Sequence, residues 1–275
     1  MTDHEKAAGL PDAAVDQYLE RIGAARPDRA DAGALRELHL RHLLTVPFEN
    51  LSIHLGEDIV LDEKALVDKV AVARRGGFCY ELNSAFAALL RALGYRVELL
   101  QARVHGPDGR VGIPYDHMAL LVETEDGGRL LADVGFGDHS HHPLAFDERG
   151  EQADPSGVFV IVEVPGADGD LDVVRDGKPQ YRLEPRPRVL ADFTAGAWYH
   201  RTSPESHFTR GVICSLLTED GRVSIGGRKL YRTAAGERAE RELGTDEELR
   251  EAYREHFGIV LDELPVVPGA EKRNP

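Results

Sequence analysis

The sequence predicts an α+β fold in three parts. Apolar residues recur at helical spacing through much of the first 94 residues, which predicts helices. From Tyr95 to about Asp192 the chain changes to short apolar runs broken by Gly, Pro and Asp, as in an antiparallel sheet or barrel. Two further strand-like runs then precede a charged helical segment. At 275 residues the chain can bury a real core as one large domain or two to three small ones.

The first predicted elements are amphipathic helices over residues 12–22, 31–44 and 62–72. Asp31 and Asp62 stand at the start of the second and third helices, where a side-chain oxygen can accept a hydrogen bond from a free backbone N–H. A fourth helix is expected after the glycine pair at 76–77 and ends near Gly94.

The later elements are predicted from apolar runs between turn residues. Strands of the middle part are expected over 96–104, 115–122, 129–134 and 158–164. Pro185 and Pro187 indicate a linker after them. The last part is predicted to contain strands over 211–218 and 222–225 and a helix over 245–256. Thr245 is the expected N-cap of that helix, and residues 268–275 are expected to form a disordered tail.

Cys79 is the residue that most strongly indicates chemistry. It follows Gly76 and Gly77 and precedes an apolar helical pattern, so it is predicted on the first turn of the fourth helix. Free N–H groups and the positive end of the helix dipole meet at that position. Such an environment lowers the pKa of a thiol and favours the nucleophilic thiolate. The sequence therefore predicts an acidic, reactive Cys79.

A base for this thiol, and a group that orients the base, are expected on one β-hairpin. His117 lies in the strand before residues 125–127, and Asp133 lies in the strand after them. A three-residue loop with Gly127 in the left-handed conformation sets His117 opposite Gly135, with Asp133 as a diagonal neighbour on the same face. A two-residue loop would place His117 and Asp133 on opposite faces. The prediction of a Cys-His-Asp site therefore depends on this turn.

Composition limits the class of protein. The formal net charge of −15 disfavours nucleic acid as a partner, because its binding depends on basic patches. No apolar run reaches the roughly 20 residues that span a bilayer, and the polar N-terminus lacks a signal-peptide core, so a cytoplasmic location without a membrane partner is expected. Cys214 is predicted to be a small buried apolar residue, and a Cys79–Cys214 disulfide is the open alternative.

Five segments, in order along the chain, resemble motifs of the arylamine N-acetyltransferase family. Residues 75–83, Arg-Gly-Gly-Phe-Cys-Tyr-Glu-Leu-Asn, are similar to that family's nucleophile motif. Residues 116–118 resemble its histidine strand, and residues 133–137 resemble its aspartate strand and glycine turn. Residues 46–51 match a further N-terminal motif, and residues 206–209 resemble a motif on the coenzyme side.

The resemblance implies a helical N-terminal domain over 1–94, an antiparallel β-barrel over 95–192 and an α/β lid over 193–275, around a cysteine-protease-like Cys-His-Asp core. The implied catalytic residues are Cys79, His117 and Asp133. Acetyl-CoA, the implied cosubstrate, would contact Gly135, Phe136, Gly137, Phe208, Thr209 and Lys229. An arylamine acceptor would stack on Phe48, Phe136 and Phe208. No metal is implied.

Asp138 departs from the family pattern, in which a small residue is expected after Phe136 and Gly137. A carboxylate at this position is expected to weaken diphosphate binding or to move the coenzyme. The departure concerns the donor site more than the catalytic residues.

The activity implied by the resemblance is a ping-pong reaction. An acetyl group would pass from acetyl-CoA through an acetyl-cysteine to an arylamine, arylhydrazine or arylhydroxylamine. Two other functions stay open: an amide synthase of the same superfamily that closes a macrolactam from a carrier-bound polyketide, and a Cys-His-Asp thiol hydrolase. The sequence does not indicate an oligomeric state.

Two other polar segments have competing interpretations. Residues 138–142, Asp-His-Ser-His-His, have the composition of a metal cluster, but no spacing matches a zinc module, so a surface loop is predicted. Glu49 and Asn50 have side chains suited to catalysis. A turn after the second helix accounts equally well for Pro47 and Asn50.

Overall fold

The fold is described from a computed structural model, which covers residues 9–267. The first helices of this structure begin and end close to the positions that the sequence predicts. They are α1 (Asp12–Ile22), α2 (Ala32–Thr45), α3 (Leu51–Leu55), α4 (Glu63–Val67) and α5 (Cys79–Ala92), and a two-residue strand, β1 (Phe48–Glu49), lies between α2 and α3. Asp31 and Asp62 are confirmed as N-caps, because their carboxylates accept backbone hydrogen bonds of 2.9 and 3.0 Å. The third predicted helix is α-helical only to Val67 and continues as a π-helix, Asp68–Val72.

Helix α5 lies inside the first hydrophobic core. Every residue from Cys79 to Leu90 is buried, as expected for a helix that has neighbours on all sides. Gly76 allows the preceding segment to approach the chain at Pro47, because a Cβ on Gly76 would lie 1.8 Å from the Pro47 carbonyl oxygen. The glycine pair therefore permits close packing as well as the helix start.

The middle part of the chain forms an eight-stranded antiparallel sheet that curls into a nearly closed barrel. Its strands are β2 (Arg96–Val104), β3 (His117–Glu123), β4 (Arg129–Ala132), β5 (Leu144–Ala145), β6 (Gln152–Asp154), β7 (Gly157–Glu163), β8 (Leu171–Arg175) and β9 (Lys178–Arg188). Their order is β5-β4-β3-β2-β9-β8-β7-β6. The side-chain amide of Gln152 joins the two edge strands through hydrogen bonds of 2.7 and 3.0 Å to the backbone of Ala145. A second hydrophobic core, which includes Phe159 and Tyr181, packs within this sheet.

The β3–β4 hairpin has the predicted register. Residues 125–127 form the three-residue loop, and Gly127 has a φ of +84°, in the left-handed region that favours glycine. The pairing of β3 with β4, continued beyond the end of β4, sets His117 opposite Gly135. Strand β4 ends two residues earlier than predicted, so Asp133 lies just beyond it.

The predicted linker at Pro185 and Pro187 is wrong, because both prolines lie inside strand β9. Strand β8 pairs with β9 only as far as Leu183, so the backbone beyond that residue has no partner from β8. On the other side, the β2–β9 register shifts between Leu100 and Gln101. Free strand edges and bulges are the places where a sheet accepts proline, which has no N–H to donate.

The last part of the chain forms a five-stranded antiparallel sheet with flanking helices. Its elements are α6 (Thr194–Thr202), α7 (His207–Arg210), β10 (Ile213–Thr218), β11 (Gly221–Gly226), β12 (Lys229–Ala234), β13 (Glu237–Glu242) and α8 (Asp246–Phe257). The strand order is β1-β10-β11-β12-β13, so a strand from the start of the chain forms one edge. Thr245 is confirmed as the N-cap of α8, since its hydroxyl accepts from the Glu248 N–H at 3.1 Å. The predicted tail, 268–275, lies outside the described residues.

Side chains cross the predicted domain limits. Phe193, Ala197 and Phe208 belong to the core around α5. Leu51 of α3 lies in the core beside the C-terminal sheet. The helical part and the C-terminal part of the described chain are therefore packed together, and the domain boundaries at 94 and 192 stay predictions. Within residues 9–267, no helix is long and apolar enough to cross a membrane.

Candidate active site

Cys79, His117 and Asp133 meet where α5 packs on the β3–β4 hairpin. His117 Nε2 lies 2.7 Å from Asp133 Oδ2. The imidazole is also within hydrogen-bonding reach of the Cys79 thiol. Because Asp133 engages Nε2, the Nδ1 nitrogen is left for the sulfur. All three side chains are buried. The three residues that the sequence predicts to act together therefore lie at one place.

Charge stabilises the His117–Asp133 pair. Burial by itself raises the pKa of Asp133 and lowers the pKa of His117, because it disfavours both charged forms. Their mutual attraction and hydrogen bond outweigh burial, so the pKa of Asp133 falls to about 2 and the pKa of His117 rises to about 10. At neutral pH the two groups therefore form an ion pair.

The Cys79 thiol is less acidic than its helix position predicts. Burial raises the pKa of the thiol, and the hydrogen bond and charge of His117 oppose that effect without reversing it. The predicted lowering of the pKa is therefore wrong for the enclosed sulfur. Because Cys79 and His117 are in contact, they titrate as a pair, and ionisation of the sulfur depends on the proton on the ring.

A buried ion pair fixes the start of α5. Lys69, on the π-helix that follows α4, lies 2.5 Å from the Glu81 carboxylate. Glu81 also accepts a hydrogen bond of 3.2 Å from the N–H of Phe78, the residue before the helix. This contact satisfies a donor that the helix itself leaves free. The position of Cys79 on the first turn, as predicted, is therefore held by side chains from two segments.

Asn83 is a member of the site that the sequence analysis missed. Its Nδ2 donates to Asp133 Oδ1 at 2.9 Å and to the Met118 carbonyl oxygen at 2.6 Å. Its Oδ1 accepts from the Val134 N–H at 3.0 Å. Asn83 thereby fastens both strands of the hairpin to α5. One signal was available: Asn83 lies four residues after Cys79, on the same face of the helix.

His39 supports Asp133 from α2 and was also missed. His39 Nε2 accepts from the Asp133 N–H at 3.2 Å, and Nδ1 lies 3.0 Å from the His141 carbonyl oxygen. These contacts require a neutral ring with its proton on Nδ1. Burial lowers the pKa of His39 to about 4, which agrees with that state. No residue near His39 in the sequence indicates its contact with Asp133, which lies 94 residues further along the chain.

Gly135 brings the hairpin against the start of α5. A Cβ on Gly135 would lie 2.7 Å from Asn83 Nδ2 and 2.7 Å from the Cα of Cys79. The N–H of Gly135 donates to Asp133 Oδ1 at 3.0 Å. Close packing beside Cys79 therefore requires glycine here, in addition to any contact with a coenzyme.

A cavity of about 270 Å³ opens onto Cys79 and His117. Its walls include the three aromatic residues predicted to contact the acceptor: Phe48, Phe136 and Phe208. The ring centroids of Phe48 and Phe208 are 6.0 Å apart. Phe136 lies edge-on to His117, with the ring centroids 5.2 Å apart. Such walls give a planar amine aromatic surfaces on which to stack.

Only some of the residues that are predicted to contact the coenzyme line this cavity. The cavity is lined by Gly135, Phe136 and Phe208. Gly137 follows directly and has a φ of +92°. The Thr209 hydroxyl donates to the Ser203 carbonyl oxygen at 2.7 Å, within its own turn. Lys229 lies in β12, where its Nζ is 2.6 Å from Glu240. Gly137, Thr209 and Lys229 are therefore not among the lining residues, and their contacts with a coenzyme stay predictions.

A second histidine–carboxylate pair lines the same cavity. His200 Nε2 lies 2.9 Å from Asp116 Oδ1, and its Nδ1 lies 3.2 Å from Ser206 Oγ. Asp116 immediately precedes His117, whereas Ser206 begins the turn that carries Phe208. With both ring nitrogens engaged, His200 braces this turn against β3. The sequence analysis did not identify it.

Glu49 and Asn50 connect separate parts of the chain. Glu49 is fully buried and lies 3.0 Å from the Arg75 guanidinium. The side-chain amide of Asn50 donates to the carbonyl oxygens of Phe208 and Gly211, at 2.9 and 2.8 Å. Neither residue lines the cavity. Their contacts agree with a structural role rather than a catalytic one.

The surface loop predicted over 138–142 is wrong for its centre. His139 and Ser140 are buried, and the His139 ring stacks on Tyr181 with the centroids 5.3 Å apart. The segment is polar in sequence, but the His139 imidazole packs into the aromatic core of the barrel. Among residues 9–267, no group of three or more His, Cys, Asp or Glu side chains is arranged to hold a metal ion.

Both cysteines are free thiols, so the alternative of a Cys79–Cys214 disulfide is wrong. Cys214 is fully buried in β10 and packs in the core beside the C-terminal sheet, which confirms its prediction as a small apolar residue.

Comparison with known proteins defines the class of enzyme. The family model described as N-acetyltransferase matches residues 31–266, so the chain is an acyltransferase. The arylamine N-acetyltransferase of Escherichia coli is 30% identical over 257 residues, which cover 90% of each chain. That of Mycolicibacterium smegmatis is 32% identical over 256 residues, covering 90% of this chain and 92% of the relative. The chain belongs to the arylamine N-acetyltransferase family, as the sequence resemblance implied.

Solved structures agree with the fold. The arylamine N-acetyltransferase of Salmonella typhimurium superposes with a TM-score of 0.82 at 28% identity, over 91% of this chain and 93% of that one. The Mycobacterium marinum enzyme in complex with CoA gives a TM-score of 0.81 at 28% identity, over 89% and 92% of the two chains. This similarity confirms a fold of mixed helices and sheets with an antiparallel barrel.

Proposed function

We propose that this enzyme transfers an acetyl group from acetyl-CoA to an arylamine, arylhydrazine or arylhydroxylamine by a ping-pong reaction through an acetyl-Cys79 intermediate. The observation that carries the proposal is the His117–Asp133 ion pair of 2.7 Å beside the Cys79 thiol, in a cavity with aromatic walls. The relative from Mycobacterium marinum, solved with CoA, supports a CoA thioester as the donor.

In the first half-reaction, Cys79 attacks the thioester carbonyl carbon of acetyl-CoA. Cys79 and His117 hold one exchangeable proton between them. With this proton on the ring the sulfur attacks as the thiolate, and the imidazolium then returns the same proton to the departing CoA sulfur. Asp133 keeps the proton of the ring on Nε2 and stabilises the positive charge, because its carboxylate stays ionised at a pKa of about 2. The products are free CoA and acetyl-Cys79.

In the second half-reaction, the amine nitrogen attacks the acetyl carbon, and the Cys79 sulfur leaves. His117 takes a proton from the nitrogen as the amide forms, which restores the resting pair of Cys79 and His117 with its one shared proton. Phe48, Phe136 and Phe208 are proposed to hold the aromatic ring of the acceptor, which directs its nitrogen towards Cys79.

Negative charge that develops on the carbonyl oxygen needs a hydrogen-bond donor in both halves. The N–H of Cys79 is proposed as one donor, because it occupies the first position of α5 and has no acceptor within the helix. The positive end of the helix dipole acts in the same direction.

The comparisons favour acetyl transfer over macrolactam closure and over thiol hydrolysis, since the curated relatives described above are named arylamine N-acetyltransferase. Chemically, an amide synthase would use the same three residues with a carrier-bound donor. A hydrolase would pass the acyl group to water.

The test is intact-mass analysis after mixing with acetyl-CoA, with and without an arylamine. We expect an acetyl adduct that persists until amine is added and then disappears as the acetylated amine forms. Cys79→Ser should remove the adduct, because a hydroxyl is far less acidic than a thiol. Cys214→Ser is the matched control and should keep it. Rapid loss of the adduct to water alone would indicate a hydrolase, and no adduct at all would refute the proposal.

A further inference from the structure

Two arginines from different sheets converge on Asp138. Arg175, at the end of β8, lies 3.2 Å from Asp138 Oδ2 and also donates to the Asp138 carbonyl oxygen at 3.3 Å. Arg222, in β11, lies 3.6 Å from Asp138 Oδ1 and donates to Ser215 Oγ at 3.1 Å. The two arginine side chains are 22% and 18% exposed, whereas that of Asp138 is 60% exposed. The guanidinium groups are therefore held by the protein, and the carboxylate covers them from the solvent side.

This cluster lies beside the catalytic cavity. A Cβ on Gly135 would lie 2.7 Å from the Cα of Cys79. Three residues span at most about 11 Å, so the Cα of Asp138 is within roughly 15 Å of that of Cys79. Ser215, which holds Arg222, is the strand partner of Phe48 in the cavity wall. Asp138, Arg175 and Arg222 lie outside the lining of the cavity itself. The short span from Cys79 to Asp138 is within the length of a donor whose thioester lies at Cys79 and whose phosphate-bearing end extends out of the cavity.

The cluster has a net positive charge in a chain with a formal net charge of −15. Burial raises the pKa of Asp138, but the hydrogen bond from Arg175 and the charges of both arginines lower it by more than burial raises it. The net pKa is below its ordinary value, so the carboxylate is ionised at neutral pH. Two guanidinium groups and one carboxylate leave one uncompensated positive charge. Arginine pairs are well suited to phosphate, because their N–H groups match its oxygens in charge and geometry.

We propose that Arg175 and Arg222 bind a phosphate group of the acyl donor, and that Asp138 competes with this phosphate for the two guanidinium groups. The inference rests on the proposed function for the identity of the donor. Asp138 must move aside, or share the arginines, when a phosphorylated donor binds. Its carboxylate therefore weakens binding of the donor and speeds release of CoA after each transfer.

The first measurement is CoA binding by isothermal titration calorimetry, for wild type and Asp138→Asn. Loss of the competing charge should tighten binding about two- to fivefold, the range expected for one partly exposed charge pair. Arg222→Gln and Arg175→Gln should each weaken binding by a similar factor. Asp147→Asn is the matched control, because Asp147 is also 60% exposed and paired with an arginine, Arg129, and loses the same charge. It should leave CoA binding unchanged.

The second measurement compares two donors, acetyl-CoA and S-acetylpantetheine, which carries the same thioester without phosphate. Asp138→Asn should lower the KM for acetyl-CoA and leave that for S-acetylpantetheine unchanged. A change for both donors would mean that the substitution acts through the fold, and would overturn the proposal.

The outcomes separate this site from the proposed function. If wild type forms the acetyl adduct but Asp138→Asn and Asp147→Asn bind CoA equally, the phosphate site is refuted and acetyl transfer stands. If Asp138→Asn binds CoA more tightly but no adduct forms, the phosphate site stands and acetyl transfer is refuted. Failure of wild type to bind CoA would refute both.

Discussion

Acid should destabilise this protein through His39, the buried imidazole that accepts a hydrogen bond from the backbone of Asp133. The ordinary pKa of 6.5 applies to the unfolded chain, whereas burial lowers the pKa in the folded protein to about 4. Between these values the unfolded chain binds more protons, so the free energy of unfolding decreases as the pH falls from 6.5 to 4. The test is the substitution His39→Gln, because glutamine does not titrate.

The expected magnitude follows from the shift itself. One pKa unit corresponds to about 1.36 kcal/mol, so the shift of His39 is worth about 3 kcal/mol once the pH is below 4. By pH 5, about 2 kcal/mol of that has been lost relative to pH 8. His117 acts in the opposite direction, because its pKa is raised to about 10 and its contribution is lost as the pH rises from 6.5. Only the difference between wild type and His39→Gln isolates His39.

The assay is urea unfolding at pH 8 and pH 5 for both proteins. Wild type should lose about 2 kcal/mol more than His39→Gln between the two pH values. If the two proteins lose the same stability to within about 0.5 kcal/mol, the neutral buried state of His39 does not govern acid stability.

Two further substitutions test the catalytic geometry. Asp133→Asn should lower turnover by about two to four orders of magnitude, because the amide selects the wrong tautomer of His117 and removes the charge that raises its pKa. Steady-state turnover and the pH dependence of Cys79 alkylation measure this, and wild-type values for both would remove Asp133 from the mechanism. Gly135→Ala should cost roughly 1–3 kcal/mol of stability and slow formation of the acetyl adduct, since its Cβ would overlap Cys79. Thermal unfolding and intact mass compare it with Gly211→Ala, where nothing lies within 4 Å of the added Cβ; equal behaviour of the two would contradict the packing argument.

Elements with a strong local signal were predictable from the sequence. The caps at Asp31, Asp62 and Thr245 are confirmed because a capping side chain acts on a backbone group only three residues away. The hairpin register is confirmed because Gly127 selects the loop and the loop sets the pairing. The linker predicted at Pro185 is wrong because the sequence does not show where β8 stops pairing with β9. Beyond that point β9 has a free edge, and the strand can include a proline.

The candidate site divides in the same way. The sequence identifies Cys79, His117 and Asp133 by residue type, spacing and resemblance, and the structure places them together. The contacts of Asn83 and His39 with Asp133 join elements about 50 and 94 residues apart, and no local pattern reports such packing. The acidity expected for Cys79 failed for a related reason, because the helix start is visible in the sequence and the burial of the sulfur is not.

Strand β1 has a consequence for the order in which the protein matures. Its neighbour Asn50 is joined to Ile213 by a hydrogen bond of 2.8 Å across 163 residues, and Phe48 of β1 pairs with Ser215. A nascent chain can form α5 and the barrel while the segment that contains Ile213 is still in the ribosome. The cavity wall that Phe48 supplies gains its strand pairing with β10 only when that segment emerges. Contacts of such long range close late, so the reactive thiol is made early and its binding cleft is completed last.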